Sequence, residues 1–368
     1  MKTARAADLR RELQKTGPAW PTRIENISYQ GVVGLGTGEL NLSSPVTLIS
    51  GGNGAGKSTL LQATWAALDP PSARTSPFIG RRLNAGTVTV TLQDSGTKHS
   101  CQVDFSPAGV AGECHHKLEI AHIDTASRLE AINSILDDLS KTEGFTNEIG
   151  SYDLTNDELG EISFVTRRDY KSATLYEIEH INQTVPYFEV SYGEDRYDSR
   201  TMGAGEHAAF LIWWLLRRAP KCSVILLEEP ETFLSPASQD ALGVHITAVA
   251  VEKRLCVLIA THSGPMIAPA GPASTQFMFR AAQGIDFNND APPALLKQLG
   301  VDPPVRAIVL VEDAAGEAFC RHILEKYDVK LARAVDVSVM SGDGNVFRGL
   351  SVMESTRRVK VVGLGPVD

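Results

Sequence analysis

A chain of 368 residues, 43% apolar and 21% charged, has the composition of a folded globular protein and excludes a disordered or fibrous one; it is long enough for a large α/β domain and a smaller second one. The net charge of −9 argues against a surface given over wholly to nucleic acid, while leaving room for a local basic patch. No apolar stretch approaches the ~18 residues of a membrane span, and the start, MKTARAADLRRELQKTG, has no apolar signal core. Cys101, Cys114, Cys222, Cys256 and Cys320 form no C-x-x-C pair, so a cytoplasmic protein with reduced thiols and no membrane partner is expected.

Residues 1–20 predict an N-terminal helical extension ended by Gly17-Pro18, with Arg5, Arg10, Arg11 and Lys15 on a solvated face. Arg23 to Gln30 alternates apolar and polar residues as a strand does; Tyr29 within it is either an adenine-stacking aromatic or plain packing. Val46 to Ser50 then reads as a buried strand feeding Gly51-Gly-Asn-Gly-Ala-Gly-Lys-Ser-Thr59, which fits G-x-x-x-x-G-K-[ST] and opens a helix running to Leu68. Strand before and helix after make this loop a phosphate site. Gly51, Gly52, Asn53, Gly54, Ala55 and Gly56 would turn backbone N–H groups inward, Lys57 would reach the β- and γ-phosphates, Ser58 would hold Mg²⁺, and Thr59 would complete the cradle.

Pro70 to Pro77 predicts a loop, and Thr87–Leu92 with Cys101–Phe105 a hairpin. Gln93, at a strand end, is by position either a sensor glutamine or an ordinary strand terminus. Cys101, Cys114, His115 and His116 invite a metal reading, yet no second ligand pair stands at zinc spacing, which favours a polar loop. Leu129, Ile132, Ile135, Leu136 and Leu139 recur at three and four, marking an amphipathic helix. The span 124–185 is expected to be a helical insertion where a partner or second subunit docks.

Tyr187 to Tyr192 returns to strand. Met202-Gly-Ala-Gly-Glu206 then opens an apolar helix, placing Gly203, Gly205 and Glu206 where backbone N–H groups and the helix dipole favour an anion. Two apolar runs follow, Ser223 to Glu231 and Leu255 to His262, each ending in polar groups at the edge where open parallel sheets bind ligands. Glu228 would serve the metal and Glu229 the attacking water, while His262, followed by Ser263, would hydrogen-bond the γ-phosphate and sense its loss. Lys57, Glu229 and His262 are thus the expected catalytic residues, with ATP and Mg²⁺ as cofactors.

In this order, the GxNGxGKST loop, long insertion, Gly-x-Gly-Glu, LLEEPE and ATHS resemble the ABC-type ATPase head, nearest the OLD (overcoming lysogenization defect) group, over roughly residues 23–285. The resemblance implies an α/β P-loop ATPase domain at 21–290. It further implies a homodimer, or a higher oligomer, in which ATP lies between Gly51–Ser58 of one head and Gly203–Glu206 of the other. The usual signature serine is Gly203 here, which weakens closure or leaves its role to a side chain such as His207.

After a linker at 291–304, residues 305–368 read as βαβαβ and resemble the opening of a Toprim domain. Glu312 is then either a metal ligand or a solvated strand-end acid, and Asp368 the first of an Asp-x-Asp pair. DNA cleavage is not expected of the chain as written, since the second aspartate is lacking. The leading expectation is an ATPase switch controlling a nuclease, in phage defence or DNA repair, through a nuclease or effector partner or a natural C-terminal extension. An SMC-like DNA-binding ATPase and an ATP-holding scaffold that sequesters a toxic effector are the alternatives.

Overall fold

The computed structural model describes residues 8–9, 11–13, 20–141, 144–146, 149–181, 183–281, 284–289, 307–327, 335–353 and 360–364. Most of the N-terminal extension, the whole of 291–304, and Asp368 lie outside them. Two compact units divide the chain, residues 1–290 and 291–368.

The first unit opens with β1 (Thr22–Val32), β2 (Gly36–Asn41) and β3 (Val46–Ser50), then α1 (Lys57–Leu68). Next come β4 (Gly86–Asp94), β5 (Thr97–Ser106), β6 (Gly109–Glu113), β7 (Ile120–Asp124), α2 (Thr125–Leu139), β8 (Ser151–Asp153) and α3 (Asn156–Thr166). The chain continues through β9 (Tyr170–His180), β10 (Gln183–Tyr192), β11 (Asp195–Asp198), α4 (Ala204–Arg218), β12 (Val224–Glu228), α5 (Pro236–Lys253), β13 (Cys256–Thr261), α6 (Gly264–Ala270), β14 (Thr275–Ala281) and β15 (Gly284–Asn288).

The central sheet has the order β15-β14-β3-β13-β12-β7, parallel except at β15. Its middle strands, VTLIS, CVLIAT and VILLE, are buried at every residue, as strands covered on both faces must be. An antiparallel sheet, β2-β1-β4-β5-β6, shares a core with it through α1. Leu60, Leu61, Ala63, Ala66 and Ala67 of α1 are almost fully buried, the alanines letting the helix lie close to its neighbours. This packing fixes the helix that begins at Lys57, and with it the loop in front. Tyr29 belongs to this core and is 2% exposed, so its role is packing rather than stacking on a base.

Three expectations are corrected. The span 124–185 is not a helical insertion: α2 and α3 account for its helices, and β8 to β11 form a four-stranded antiparallel sheet, β11-β10-β9-β8. Tyr170, Ala173, Leu175 and Ile178 are the buried positions of β9, spaced by three, two and three, a pattern that carries neither period cleanly. Pro70 to Pro77 is not a plain loop either. Pro70–Thr75 and Pro77–Arg82 are short helices, each with proline in its first turn, and Asp69 caps the former by accepting from Ser72 N at 3.2 Å. Finally, Cys101 and Cys114 are not free thiols but a disulfide with Cα atoms 4.6 Å apart. The β5–β6 ladder pairs Gln102 with Glu113, so the next positions along it, 101 and 114, face each other. Among the described residues Cys222, Cys256 and Cys320 are free.

The second unit holds β16 (Ala307–Val311), α7 (Ala314–Tyr327), β17 (Val335–Val339), α8 (Asp343–Met353) and β18 (Lys360–Leu364), with a parallel sheet of order β17-β16-β18. Val309, Val311, Cys320, Val335 and Val337 make its core. No helix among the described residues is long and apolar enough to cross a membrane.

Candidate nucleotide site

The loop between β3 and α1 is shaped by contacts that admit no side chain. A Cβ on Gly51 would stand 2.3 Å from the Met278 carbonyl oxygen, and Gly56, at φ 109°, would press one to 2.9 Å from Leu35. Gly54 also adopts a left-handed φ, of 73°. Ala55 N donates to Gly52 O, closing the turn, and Asn53 lies exposed at its tip. Lys57 is buried, and its Nζ donates to the carbonyls of Gly51 at 2.8 Å and Gly52 at 3.3 Å. Burial pushes the Lys57 ammonium below its ordinary range, against the opposing pull of Glu229, Glu231 and Glu228. Ser58 and Thr59 follow in the first turn of α1, both half-buried. Arg280 lies over the outside of the loop, donating to Gly54 O and Gly34 O.

Glu228 ends β12, two strands from β3, and is nearly buried. Burial alone would raise its carboxyl; the His122 imidazole, the Ser58 hydroxyl and the Gln62 amide turned toward it hold it below the usual carboxylate value. Glu229 leaves the strand with a left-handed φ of 43°, its N–H donating to Ala260 O of β13 at 2.9 Å. Its Oε1 lies 3.2 Å from His262 Nδ1, and these side chains are 39% and 48% exposed, open to a reacting water. Glu231 approaches the same imidazole from the buried side, its Oε1 3.9 Å from His262 Nδ1. It is buried, accepts from the Thr261 hydroxyl and from His262 N at 3.2 Å, and burial raises its carboxyl. Ser263 donates to Gln239 Oε1 at 2.6 Å and caps α6.

The structure therefore gathers Lys57, Ser58, Glu228, Glu229 and His262 at the C-terminal edge of one sheet, and adds Glu231, Gln62 and His122, to which the sequence reading gave no role. Gln93 is elsewhere: it pairs Arg23 across β1 and β4, accepting from Nε and Nη2 of that arginine. Cys101, Cys114 and His116 do come together, with ligand atoms within 4.8 Å of one another, but each already has a partner. His116 Nδ1 accepts from Leu118 N and its Nε2 faces Leu68 O at 2.9 Å, while Cys101 and Cys114 hold each other.

Gly203 is the N-cap of α4 and is exposed, with nothing within 4 Å of a Cβ built on it. Gly205 has no such room, since its Cβ would lie 2.4 Å from Phe233 O in the turn after Glu231. The Glu206 carboxylate is taken up internally. Tyr170 and Tyr197 hydroxyls donate to Oε1 at 2.6 Å each, and Arg168 Nη1 to Oε2 at 3.0 Å. His207 cannot replace a signature hydroxyl at a partner surface, because its ring is 1% exposed and burial pushes its pKa down to about 4. In the second unit Glu312 follows β16 and shares a hydrogen bond with Asp343, whose proximity raises the Glu312 carboxyl.

This is a mixed α/β fold with a P-loop, and it resembles the ABC-type ATPase head. Residues 26–191 match the AAA domain family, a span that includes the phosphate loop and stops short of Gly203 and Glu228. The chain is similar to an SMC head solved with the C-terminal winged-helix domain of ScpA, at 15% identity and a TM-score of 0.50 over 72% of this chain and 97% of that one. The SMC head domain from Thermotoga maritima is 12% identical, with a TM-score of 0.46 over 73% and 100%. The recombination mediator RecF, solved with a nucleotide analogue, is 12% identical, with a TM-score of 0.42 over 73% and 98%. No curated protein matches.

Proposed function

We propose that this chain hydrolyses ATP and works as an OLD-like switch, two heads closing on nucleotide to control a nuclease activity in a partner or in further chain. The observation that supports it most is the convergence of Lys57, Ser58, Glu228, Glu229 and His262 on one sheet edge. Backbone N–H groups of Gly51 to Gly56 and the Lys57 ammonium would hold the phosphates, Lys57 exchanging the Gly51 and Gly52 carbonyls for phosphate oxygens.

A hydroxyl and a carboxylate in contact are hard oxygen donors, so Ser58 and Glu228 fit Mg²⁺. When bound, the ion supplies charge neutralisation on the phosphates. Glu229 Oε1 takes the proton of the attacking water, with the His262 imidazole fixing that carboxylate on one side. The α4 N-terminus, through Gly203 and Gly205, meets the nucleotide of a second copy, with Glu206 shaping that helix end rather than touching phosphate.

The second reading is an SMC- or RecF-like DNA-related ATPase; against its SMC form, the helices of 124–185 among the described residues are 15 and 11 residues long, too short for a long heptad arm. The phage-defence setting rests on the OLD resemblance. Glu312 with Asp343 is the pair that a Toprim-like second unit would use toward a metal ion. Titration calorimetry with a non-hydrolysable ATP analogue tests the core of this reading: Lys57→Ala is expected to lower affinity by ~100-fold or more. Unchanged affinity would overturn it.

A further inference from the structure

A polar cluster lies beneath Glu228 that the nucleotide motifs do not account for. Ser58, Gln62 and Trp65 follow one another on α1 at intervals of four and three, so they share one face of the helix. That face looks onto β7 and β12. In their parallel ladder His122 pairs with Leu226 and Asp124 with Glu228, which sets His122 one pleat below Glu228 on the same side of the sheet. The Trp65 ring stacks on the His122 ring, centroids 5.1 Å apart and planes inclined by 17°.

Both polar side chains converge on a single carboxylate oxygen. Gln62 Nε2 is 3.5 Å from Glu228 Oε2, and His122 Nε2 is 3.7 Å from the same atom. Gln62 Oε1 and His122 Nε2 are themselves buried without a hydrogen-bond partner. A core that needed only volume here would be apolar, because each unpaired buried polar atom is destabilising. Both contacts become full hydrogen bonds if the carboxylate moves toward them by about half an ångström. That movement fixes Oε2 from below and leaves Oε1 without a contact from either donor.

We infer that Gln62 and His122, braced by Trp65, are positioning residues that orient the Glu228 carboxylate for the nucleotide-bound divalent cation. The inference rests on the reading of Ser58 and Glu228 as the pair that holds this ion. Trp65 keeps the imidazole plane upright, His122 and Gln62 supply N–H donors, and removing either donor frees the carboxylate to rotate. Partners of this kind behind a metal ligand are worth about 10–100-fold in metal affinity.

The test uses the full chain, a non-hydrolysable ATP analogue and Mn²⁺ as probe, with bound Mn²⁺ read by electron paramagnetic resonance. His122→Phe keeps the stack on Trp65 and loses the donor; Gln62→Met keeps the volume and loses the amide. Each is expected to weaken Mn²⁺ binding by ~10–100-fold, with analogue affinity in EDTA unchanged. His122→Gln, which restores an N–H, is expected to recover most of the loss, a result plain packing would not give. Mn²⁺ affinity equal to the parent's in both donor-less variants overturns the inference alone. Absence of Mn²⁺ binding in the parent overturns the nucleotide reading and this inference with it. Should His122→Phe fail to fold, as judged by its melting curve, Gln62→Met decides.

Discussion

Replacing Glu229 by glutamine isolates proton transfer from every other duty of the site. The backbone at 229 is held by its N–H to Ala260 O and by a left-handed φ, neither of which involves the side chain. Glutamine has the same length, so it keeps its place 3.2 Å from His262 Nδ1, in a half-exposed setting where an amide carries no burial penalty. What disappears is the proposed base. General-base catalysis is worth about 10²–10⁴-fold, or ~2.7–5.5 kcal/mol of transition-state stabilisation. Steady-state phosphate release is therefore expected to fall by that factor, with analogue affinity within about 3-fold of the parent and an unchanged melting temperature. ATP then persists between heads, so the dimer fraction in sedimentation velocity rises with ATP. Glu231→Gln is the counterpart: it replaces a buried carboxylate that accepts from Thr261 and His262, and is expected to lower stability by ~1–3 kcal/mol. A kcat for Glu229→Gln within about 3-fold of the parent would remove Glu229 as the base and turn attention to Glu231.

Gly205→Ala puts a methyl group 2.4 Å from Phe233 O, forcing the α4 N-terminus and the post-Glu231 turn apart at ~1–3 kcal/mol. ATP-driven self-association should weaken about 10-fold while ATP binding to the monomer stays intact; equal association in the two proteins refutes a role for this surface. His207 has a folded pKa of about 4 against an ordinary 6.5, so the fold keeps it neutral. Its contribution is present above the ordinary value and is lost as pH falls toward the folded one, amounting to about 2 kcal/mol at about pH 5. In His207→Met, urea denaturation at about pH 8 and about pH 5 should show a pH penalty smaller by ~2 kcal/mol; an undiminished penalty places the titration elsewhere. Cys114→Ser opens a loop spanning 13 residues and should cost ~3 kcal/mol in non-reducing urea melts. Equal stability of parent and variant without reductant would show that the bond contributes nothing.

The elements that chemistry ties to contiguous residues were readable from the sequence. A buried strand, a glycine loop and Lys57-Ser58 follow one another without a break, and the acidic end of β12 is local to LLEEPE. Gln62 and His122 were not readable, because their meaning depends on β7 lying beside β12, a pairing between segments over a hundred residues apart. The same holds for Cys101 and Cys114, which look unrelated until β5 and β6 set them opposite each other. The sheet β8 to β11 was not legible for a different reason. Glu177 of β9 spends its carboxylate on Trp214 Nε1 and Arg218, so a charged residue stands where a strand facing a helix would show an apolar one.

That sheet bears directly on the α4 N-terminus, proposed above to meet the nucleotide of a second copy. Gly203 offers no hydroxyl, so any anion at this end of α4 meets backbone N–H groups and the helix dipole alone. A free carboxylate in the first turn would repel that anion. Glu206 does not act as one: Tyr170 of β9 and Tyr197 of β11 donate to one oxygen, and Arg168, just before β9, pairs with the other. The side chain is 7% exposed and its charge is balanced by a guanidinium 3.0 Å away. Burial and the Glu206 contact raise the Tyr197 hydroxyl to about 12, so it remains a donor throughout the physiological range. Glu206 thus acts as an anchor, and the sheet that supplies both tyrosines fixes the direction in which Gly203 and Gly205 face. Under the proposed dimer, the strength of anion contact at this helix end depends on that direction, so the sheet β8 to β11 belongs to what positions it.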